Sequence, residues 1–194
     1  MSGKEAVWSD FRRGSRAAYE TLIRDYYQDL HVYGMRLLNN PDFIKDCIHD
    51  LFIHIWERRS YLGETDDVRL YLLKSLRNRV IKGINRSNKW LEFGEDSVSG
   101  TDPEWSVEDK IISTEKSQFE RQRIRAILLG LSPRQREVIH LRFFEGLSNE
   151  RIAGIMEISK PAVANLVHAA LGSMRLTWHS SVISVLLFIG SLLC

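Results

Sequence analysis

A small polar helix face late in the chain carries the side chains best suited to hydrogen bonding with nucleic-acid bases. Lys160, Asn165 and His168 recur there at helical spacing among short side chains. The short neighbours would let such a helix enter a major groove while Asn165 reaches a base edge. Helices that simply pack in a protein core show the same pattern, so its meaning depends on the elements that precede it.

Capping signals place this helix third in a series of three. Ser132, Ser148 and Ser159 each stand where a helix N-cap is expected. Only Glu157 and Ile158 separate the second helix from the third, which leaves room for a tight turn. The first helix also has Pro133 in its first turn, Gln135 in a capping box and Gly146 at its end. Two helices joined by a tight turn predict a helix-turn-helix, which favours DNA binding.

Both helices of this motif have an apolar face for a core. On the shorter helix these residues are Ile152, Ala153, Ile155 and Met156. On the longer helix the predicted stripe consists of Val163, Leu166, Val167, Ala170, Leu171 and Met174. The remaining, outward face holds Lys160, Ala162, Asn165, His168, Ala169, Gly172 and Ser173.

Three further helices are predicted in the N-terminal half. The first spans Ser15 to Leu38, and the second follows with Asp42 as its predicted cap. The third begins near Asp67, ends at about Arg86 and buries Leu70, Leu73, Val80 and Ile84. The second helix has a core stripe of Ile44, Ile48, Leu51, Phe52, Ile55 and Trp56. Its outer face consists of Lys45, Asp46, His49, Asp50, Ile53, His54 and Glu57.

The third of these helices has a basic face, which is a second candidate for nucleic-acid contact. This face consists of Lys74, Arg77, Arg79, Lys82 and Arg86, with Lys89 just beyond. Tyr71 and Asn78 lie among these charges and could stack on or hydrogen-bond an unpaired base while the cations neutralise phosphates. A solvated charged face is the alternative interpretation.

Composition and spacing together predict an all-α protein of two small helical domains, the second a helix-turn-helix. The 194 residues have a net charge of only +2, so nucleic-acid contacts must come from local basic clusters. No strand alternation competes with the helical spacing. The predicted boundaries are a first domain at 1–90, a polar linker at 91–110, a second domain at 111–178 and a tail at 179–194. Helical spacing over Ile111 to Leu131 assigns that segment to the second domain.

The cysteines and the two termini indicate in which cellular compartment the chain works. Cys47 and Cys194 form neither a disulfide framework nor a metal motif, which fits a reducing, cytoplasmic compartment, and no secretion signal opens the chain. Val182 to Leu193 is an apolar run shorter than a spanning helix needs. A terminal helix docked on the protein and a hydrophobic handle for a partner are the two favoured interpretations of that run. No catalytic motif, metal site or cofactor site is predicted, because the histidines are dispersed and no phosphate loop is present.

Two motifs give the chain a resemblance to the extracytoplasmic-function group of bacterial sigma factors, the specificity subunits of RNA polymerase. DCIHDLFIHIWERR at 46–59 is similar to the family's polymerase-binding helix. RLYLLKSLRNRVIKGINR at 69–86 is similar to its promoter-melting helix. Residues 15–90 and 111–175 then resemble the family's regions two and four. The resemblance implies a non-enzymatic protein that binds core polymerase and promoter DNA, with no small-molecule substrate.

The resemblance also implies a role for each group of candidate residues. Contact with the clamp of the largest polymerase subunit would involve Asp46, His49, Asp50, Ile53 and Glu57. The loop from Tyr61 to Val68 would hold the minus-ten strand with one base flipped out. The melting helix would contribute Tyr71, Lys74, Arg77, Asn78, Lys82 and Arg86. Minus-thirty-five DNA would meet Ser159, Lys160, Asn165, His168 and Arg175. Phosphates or the flap of the second-largest subunit would meet Arg134, Arg136, Arg142, Arg151 and Arg175.

The recognition helix departs from the family pattern because it has few cations. Ala162, Ala164, Ala169 and Gly172 stand where many members carry Arg or Lys. We therefore expect weak binding to isolated DNA and a shallow salt dependence. A membrane-bound anti-sigma factor is a further hypothetical partner. Two other classes stay open on the sequence: a free-standing helix-turn-helix regulator that binds duplex DNA without polymerase, and an interaction protein with a membrane partner.

Overall fold

The computed structural model describes 3–91, Leu128 and 130–192, with side chains over 6–86, at Leu128 and over 130–176. These residues are helical, with turns between the helices and no strand among them. They fall into two compact units, one containing the four N-terminal helices and the other most of the helix-turn-helix. The predicted linker and most of the helix predicted over Ile111 to Leu131 lie outside the described residues.

The described residues 3–91 of the N-terminal unit form four helices. They are α1 (Gly3–Arg12), α2 (Arg16–Leu37), α3 (Pro41–Glu57) and α4 (Val68–Leu91), with a short 3₁₀ turn at Arg59–Tyr61. The sequence prediction for α2 is confirmed within a residue at each end, and Ser15 caps it by accepting from the Ala18 N–H at 3.3 Å. Helix α1 is an addition that the sequence prediction missed.

The start of α3 and the end of α4 differ from prediction. Asn40, not Asp42, caps α3: its side chain accepts from the Phe43 N–H at 3.1 Å, and Pro41 takes the first helical position. Asn40 precedes the proline, where an extended backbone is favoured and a capping side chain is well placed. Helix α4 continues past Arg86 to Leu91, because neither Gly nor Pro interrupts this stretch of the helix.

The core of this unit is where α2, α3 and α4 meet. Its fully buried members include Leu22, Leu30 and Tyr33 of α2, Ile44, Ile48, Leu51 and Ile55 of α3, and Leu72, Leu73, Leu76 and Val80 of α4. Leu70 and Ile84, which were predicted to be inside, are half-buried, and so is Trp56. In α4, Leu72 and Leu76 take the buried positions that were predicted for Leu70 and Ile84, because the buried stripe of this helix is rotated toward them.

The described residues 130–192, called the C-terminal unit below, include three helices: α5 (Pro133–Ile139), α6 (Asn149–Met156) and α7 (Lys160–Leu192). The capping box of Ser132 with Gln135 is confirmed in both directions, at 3.3 and 2.9 Å. After α5 a wide π-type turn, His140–Phe144, leads to Gly146, whose φ of 65° needs a residue tolerant of the left-handed region. Val163 and Ala170 of the predicted α7 stripe are buried, and Leu166, Val167 and Met174 are half-buried.

Leu171 departs from that stripe, because its side chain is 43% exposed. At 100° per residue it lies about 80° around the helix from Val163, so it reaches only the edge of the buried face. The helix itself continues to Leu192. Within the part of the chain that the structure describes, no helix is long and apolar enough to cross a membrane.

Candidate nucleic-acid and protein interfaces

One exposed strip of α4 has a lysine on each side of an asparagine. Lys74, Asn78 and Lys82 are exposed at successive positions four residues apart, which separates neighbours by about 6 Å along the axis. Arg86 is also exposed, while Arg77 is half-buried. We call Lys74, Asn78, Lys82 and Arg86 the α4 strip. It presents positive charge and hydrogen-bonding groups along a row that turns around the helix by about 40° per step, which suits a nucleic-acid backbone.

Arg79 and Tyr71, which were predicted to lie on the basic face of α4, contact other parts of the N-terminal unit. The side chain of Arg79 is only 29% exposed, and its Nη1 lies 4.0 Å from the Asp50 Oδ2 on α3. The Tyr71 ring is half-buried against Trp8 of α1, with ring centroids 5.5 Å apart. Much of this ring is therefore occupied within the protein.

The outer face of α3 combines acidic groups with one exposed aliphatic side chain. Asp46, His49, Asp50, Ile53 and Glu57 are all exposed, and Ile53 is 40% exposed. We call these five residues the α3 outer face. This face therefore combines one exposed aliphatic side chain with acidic and polar groups around it.

Cys47 lies beside this face and is a half-buried free thiol. Burial raises the pKa of the Cys47 thiol, and the neighbouring carboxylate of Asp50 raises it further. The guanidinium of Arg79 opposes these effects by lowering the same pKa. Cys47 is therefore held as a thiol rather than as a reactive thiolate.

The segment between α3 and α4 carries an exposed aromatic ring. Tyr61 is 83% exposed at the end of the 3₁₀ turn. The turn begins at Arg59, whose guanidinium lies 4.4 Å over the Trp56 ring and donates to the Trp56 carbonyl at 2.7 Å. The ring of Tyr61 thus stands in solvent on an anchored turn, where it can stack on a base.

In the C-terminal unit, the predicted recognition face lies on α7, and serine side chains cap both α6 and α7. Ser148 accepts from the Arg151 N–H and Ser159 from the Ala162 N–H, each at 3.3 Å. Between α6 and α7, Glu157 adopts a left-handed conformation with φ 55°, which makes the tight turn. Asn165 and His168 are both exposed on α7.

The cations around this recognition face differ in their surroundings. Lys160 Nζ lies 3.9 Å from Glu150 Oε2, but both side chains are largely exposed, so the pair is weak. Arg142 donates to the Leu147 carbonyl at 2.9 Å and so supports the turn. Arg134, Arg151 and Arg175 are exposed, and Arg136 is half-buried.

Sequence reasoning missed several surface and core features of both units. Phe143 and Phe144 of the π-type turn are 58% and 57% exposed, although their apolar character favoured burial. Trp8 and Phe11 of α1 are buried, and their three-residue spacing was a helical signal available in the sequence. Among the described residues, no group of three or more His, Cys, Asp or Glu side chains is arranged to hold a metal ion.

Comparison with protein-family models matches both units. The model described as Sigma-70 region 2 matches 22–90, and the model described as Sigma-70, region 4 matches 121–174. Together the two matches cover more than half of the chain. This chain is an extracytoplasmic-function sigma factor of the sigma-70 family. As a sigma factor it binds RNA polymerase and directs it to promoters. A free-standing helix-turn-helix regulator is not favoured, because region two is matched as well.

Curated relatives of this sigma factor have related names. RNA polymerase sigma factor YlaC of Bacillus subtilis is 28% identical over 158 residues, which is 80% of this chain and 88% of the relative. RNA polymerase sigma-E factor of Streptomyces avermitilis is 26% identical over 164 residues, which is 84% of this chain and 86% of the relative. Relatives named ECF RNA polymerase sigma factor SigK, from Mycobacterium, are 28% identical over 142 residues.

Solved structures share the fold of this sigma factor at low sequence identity. The sigma factor RpoE in complex with the anti-sigma factor NepR, from Bartonella quintana, matches with a TM-score of 0.65 and 17% identity. That match covers 83% of this chain and 96% of the other. CnrH in complex with the cytosolic domain of CnrY matches with a TM-score of 0.61 and 16% identity, over 91% of this chain and 97% of the other.

Proposed function

We propose that the N-terminal unit binds the polymerase clamp through the α3 outer face and opens the minus-ten element through the α4 strip. The observation that carries this proposal is the placement of two chemically different surfaces on adjacent helices of one unit. One is acidic with an exposed Ile53, and the other is basic with Asn78 between two lysines. Arg79 of α4 lies 4.0 Å from Asp50 of the α3 outer face, a weak contact between the two helices because the Asp50 side chain is largely exposed.

The α3 outer face suits a protein partner with complementary charge. Ile53 supplies a small apolar anchor, and Asp46, Asp50 and Glu57 supply negative charge around it. Acidic rims steer association with a basic surface, and a central aliphatic side chain excludes water once the surfaces meet. The clamp contact therefore depends on both the apolar and the charged members of this face.

The α4 strip suits a single DNA strand. Lys74, Lys82 and Arg86 neutralise phosphates, and Asn78 offers an amide to a base. Tyr61, on the turn before α4, presents an exposed ring on which an unstacked base can rest. Tyr71 contributes less directly, since its ring packs against Trp8. The chain then lowers the cost of strand opening by binding the opened product.

The C-terminal unit is proposed to contact minus-thirty-five DNA as a duplex. Asn165 and His168 on α7 face solvent, and their side chains can hydrogen-bond to the edges of bases. The Ser159 hydroxyl caps α7 and can still donate to a phosphate, while Lys160 is only weakly held by Glu150. With so few cations on this helix, stable promoter binding depends on polymerase.

The remaining parts of the proposal concern setting and regulation. The protein works in the cytoplasm with core polymerase, which performs the phosphodiester chemistry, so the chain needs no catalytic centre. Two of the solved structures with a similar fold bear titles that describe complexes, one with an anti-sigma factor and one with a cytosolic domain. We include a protein antagonist of this kind among the partners, alongside the clamp, the flap and promoter DNA.

The decisive experiment separates strand opening from polymerase binding. In reconstituted transcription with bacterial core polymerase, Asn78→Ala with Arg86→Ala, two exposed members of the α4 strip, is expected to leave closed complexes and reduce permanganate reactivity of the melted thymines. The matched control is Arg24→Ala with Gln28→Ala, which removes the same two chemical groups from the exposed side of α2. Unchanged permanganate reactivity in the first variant, or equal loss in both, would contradict the role of α4.

Two single variants test the other surfaces in the same assay. Ile53→Asp is expected to lower affinity for core polymerase at least tenfold, with a normal melting temperature because Ile53 is not in the core. Asn165→Ala is expected to weaken selectivity at the upstream element while polymerase binding stays intact. If Asn165→Ala lowers both equally, the proposed readout by α7 is wrong. A chain that binds duplex DNA but ignores the core would overturn the whole assignment.

A further inference from the structure

Helix α1 holds the loop that precedes α4 at two adjacent residues. The indole Nε1–H of Trp8 donates to the Gly63 carbonyl at 3.1 Å. One turn further along α1, Arg12 Nη1 lies 3.2 Å from Glu64 Oε1. We call 62–67 the pre-α4 loop. These contacts join residues more than 50 positions apart in the sequence, so they exist only once α1 has docked.

The indole that makes the first contact has little freedom to move. Trp8 is 2% exposed, and its ring packs between Phe11 at 5.2 Å and Tyr71 at 5.5 Å. Phe11 is itself fully buried and lies 6.2 Å from the Trp56 ring. Because aromatic neighbours fix the ring, its N–H fixes the position of the Gly63 carbonyl.

The far end of the pre-α4 loop is fixed by α4. The Asp67 carboxylate accepts from the Leu70 N–H at 3.0 Å, which caps α4, and the Asp67 N–H donates to Thr65 Oγ1 at 3.2 Å. Glu64 is 88% exposed at the side chain, and an added Cβ at Gly63 would meet nothing within 4 Å. The loop therefore has an anchored inner side and an open outer side.

We propose that α1 is a positioning element for base selection during promoter opening, with Trp8 as its main positioning residue and Arg12 as an auxiliary one. The inference rests on the proposed function, in which the segment before α4 receives an unstacked base of the minus-ten strand. A base is discriminated by hydrogen-bonding groups held at fixed places. The Trp8 contact holds the pre-α4 loop in one place, and its loss lets these groups move.

The two contacts are unequal in strength for physical reasons. The Trp8 hydrogen bond is partly buried, and its donor is held by packing. The Arg12 pair involves a carboxylate that is almost fully in solvent, so water and salt screen it. Removing the indole N–H is therefore expected to affect base selection more than removing the Arg12 charge.

The test uses the full chain with core polymerase and a promoter library in which each melted position is varied. Trp8→Phe keeps an aromatic ring but removes the donor. It is expected to lower selectivity for the preferred flipped base by roughly 3- to 10-fold, with core affinity and upstream-element selectivity unchanged. Arg12→Gln should lower it by less than about 3-fold. The matched control Arg13→Gln removes a cation that hydrogen-bonds to Ser9 and Asp10 rather than to the loop, and it should leave this selectivity unchanged.

The rate of hydrogen exchange at the amides of 62–67 provides a second readout. This rate should be higher in Trp8→Phe than in the control. Wild-type base selectivity in a folded Trp8→Phe chain would overturn the inference. So would a loss of base selectivity that is matched by equal losses of core affinity and upstream selectivity. If the unmodified chain itself neither joins the core nor discriminates bases at the melted positions, the proposed function fails instead.

Discussion

Gly34 of α2 lies at a close contact between α2 and α3, and Gly34→Ala should destabilise the N-terminal unit. A Cβ built at this position lies 2.6 Å from Ile44 Cγ2 and 3.5 Å from Leu76 Cδ2. Ile44 is fully buried, and its branched side chain is restricted in rotamer, so it cannot turn away. The new methyl group must therefore separate α2 from α3.

Two opposing terms set the size of the effect. Overpacking a core costs about 1–3 kcal/mol, whereas replacing Gly by Ala inside a helix gains roughly 0.5–1 kcal/mol. The net loss is about 0–2.5 kcal/mol and is centred near 1.2 kcal/mol, which lowers the melting temperature of a unit of this size by roughly 5–10 °C. Because α3 and α4 carry the two proposed interfaces, affinity for core polymerase should fall near the new melting temperature.

The assay is thermal unfolding of the full chain by circular dichroism, with hydrogen exchange assigning the transition to α2–α4. Gly172→Ala on the open side of α7 is the matched control, and it should be neutral or stabilising because nothing lies within 4 Å of the added Cβ. Adding Ile44→Leu to Gly34→Ala removes the branch at Cβ and should restore part of the loss. A Gly34→Ala chain as stable as the wild type would refute the reasoning.

Three further predictions follow from local geometry. Ser132→Ala removes the acceptor for the Gln135 N–H and should cost about 1 kcal/mol in the C-terminal unit, whereas Ser132→Thr should retain most of it; equal melting temperatures for the Ala and Thr variants would contradict this. Gly146→Ala, at φ 65° with no neighbour within 4 Å of the added Cβ, should cost about 1 kcal/mol through the backbone alone, and Gly146→Asn should cost less, as measured by urea unfolding. In a Cys194→Ser chain at pH 8, the raised pKa of Cys47 should make alkylation by iodoacetamide several-fold slower than in the urea-unfolded chain, and equal rates would show that burial does not protect the thiol.

Local signals were sufficient for most of the helices and for the existence of the recognition motif. Ser15, Ser132, Ser148 and Ser159 were identified as caps or helix starts because a cap bonds to a backbone N–H three residues away. The same short range explains the one cap assigned wrongly: Asp42 and Asn40 both carry a suitable oxygen, and the proline between them decides in favour of Asn40. Resemblance in the two motifs then supplied the family.

Which side chains share a surface was decided by tertiary structure. The sequence alone placed Arg79 on the basic face and Leu171 in a core stripe, but the docking of α4 on α3 turns Arg79 toward Asp50, and Leu171 is 43% exposed. Helical periodicity fixes the angle between residues on one helix but not the direction in which the helix is rotated against its neighbours.

The same division holds for the pre-α4 loop. The sequence by itself determined an all-α chain with two groups of capped, amphipathic helices, since spacing and caps act over a few residues. Only the tertiary structure brought Trp8 to the Gly63 carbonyl and Arg12 to Glu64. Contacts between residues more than 50 positions apart depend on how several helices pack together, and no pattern within either segment specifies them.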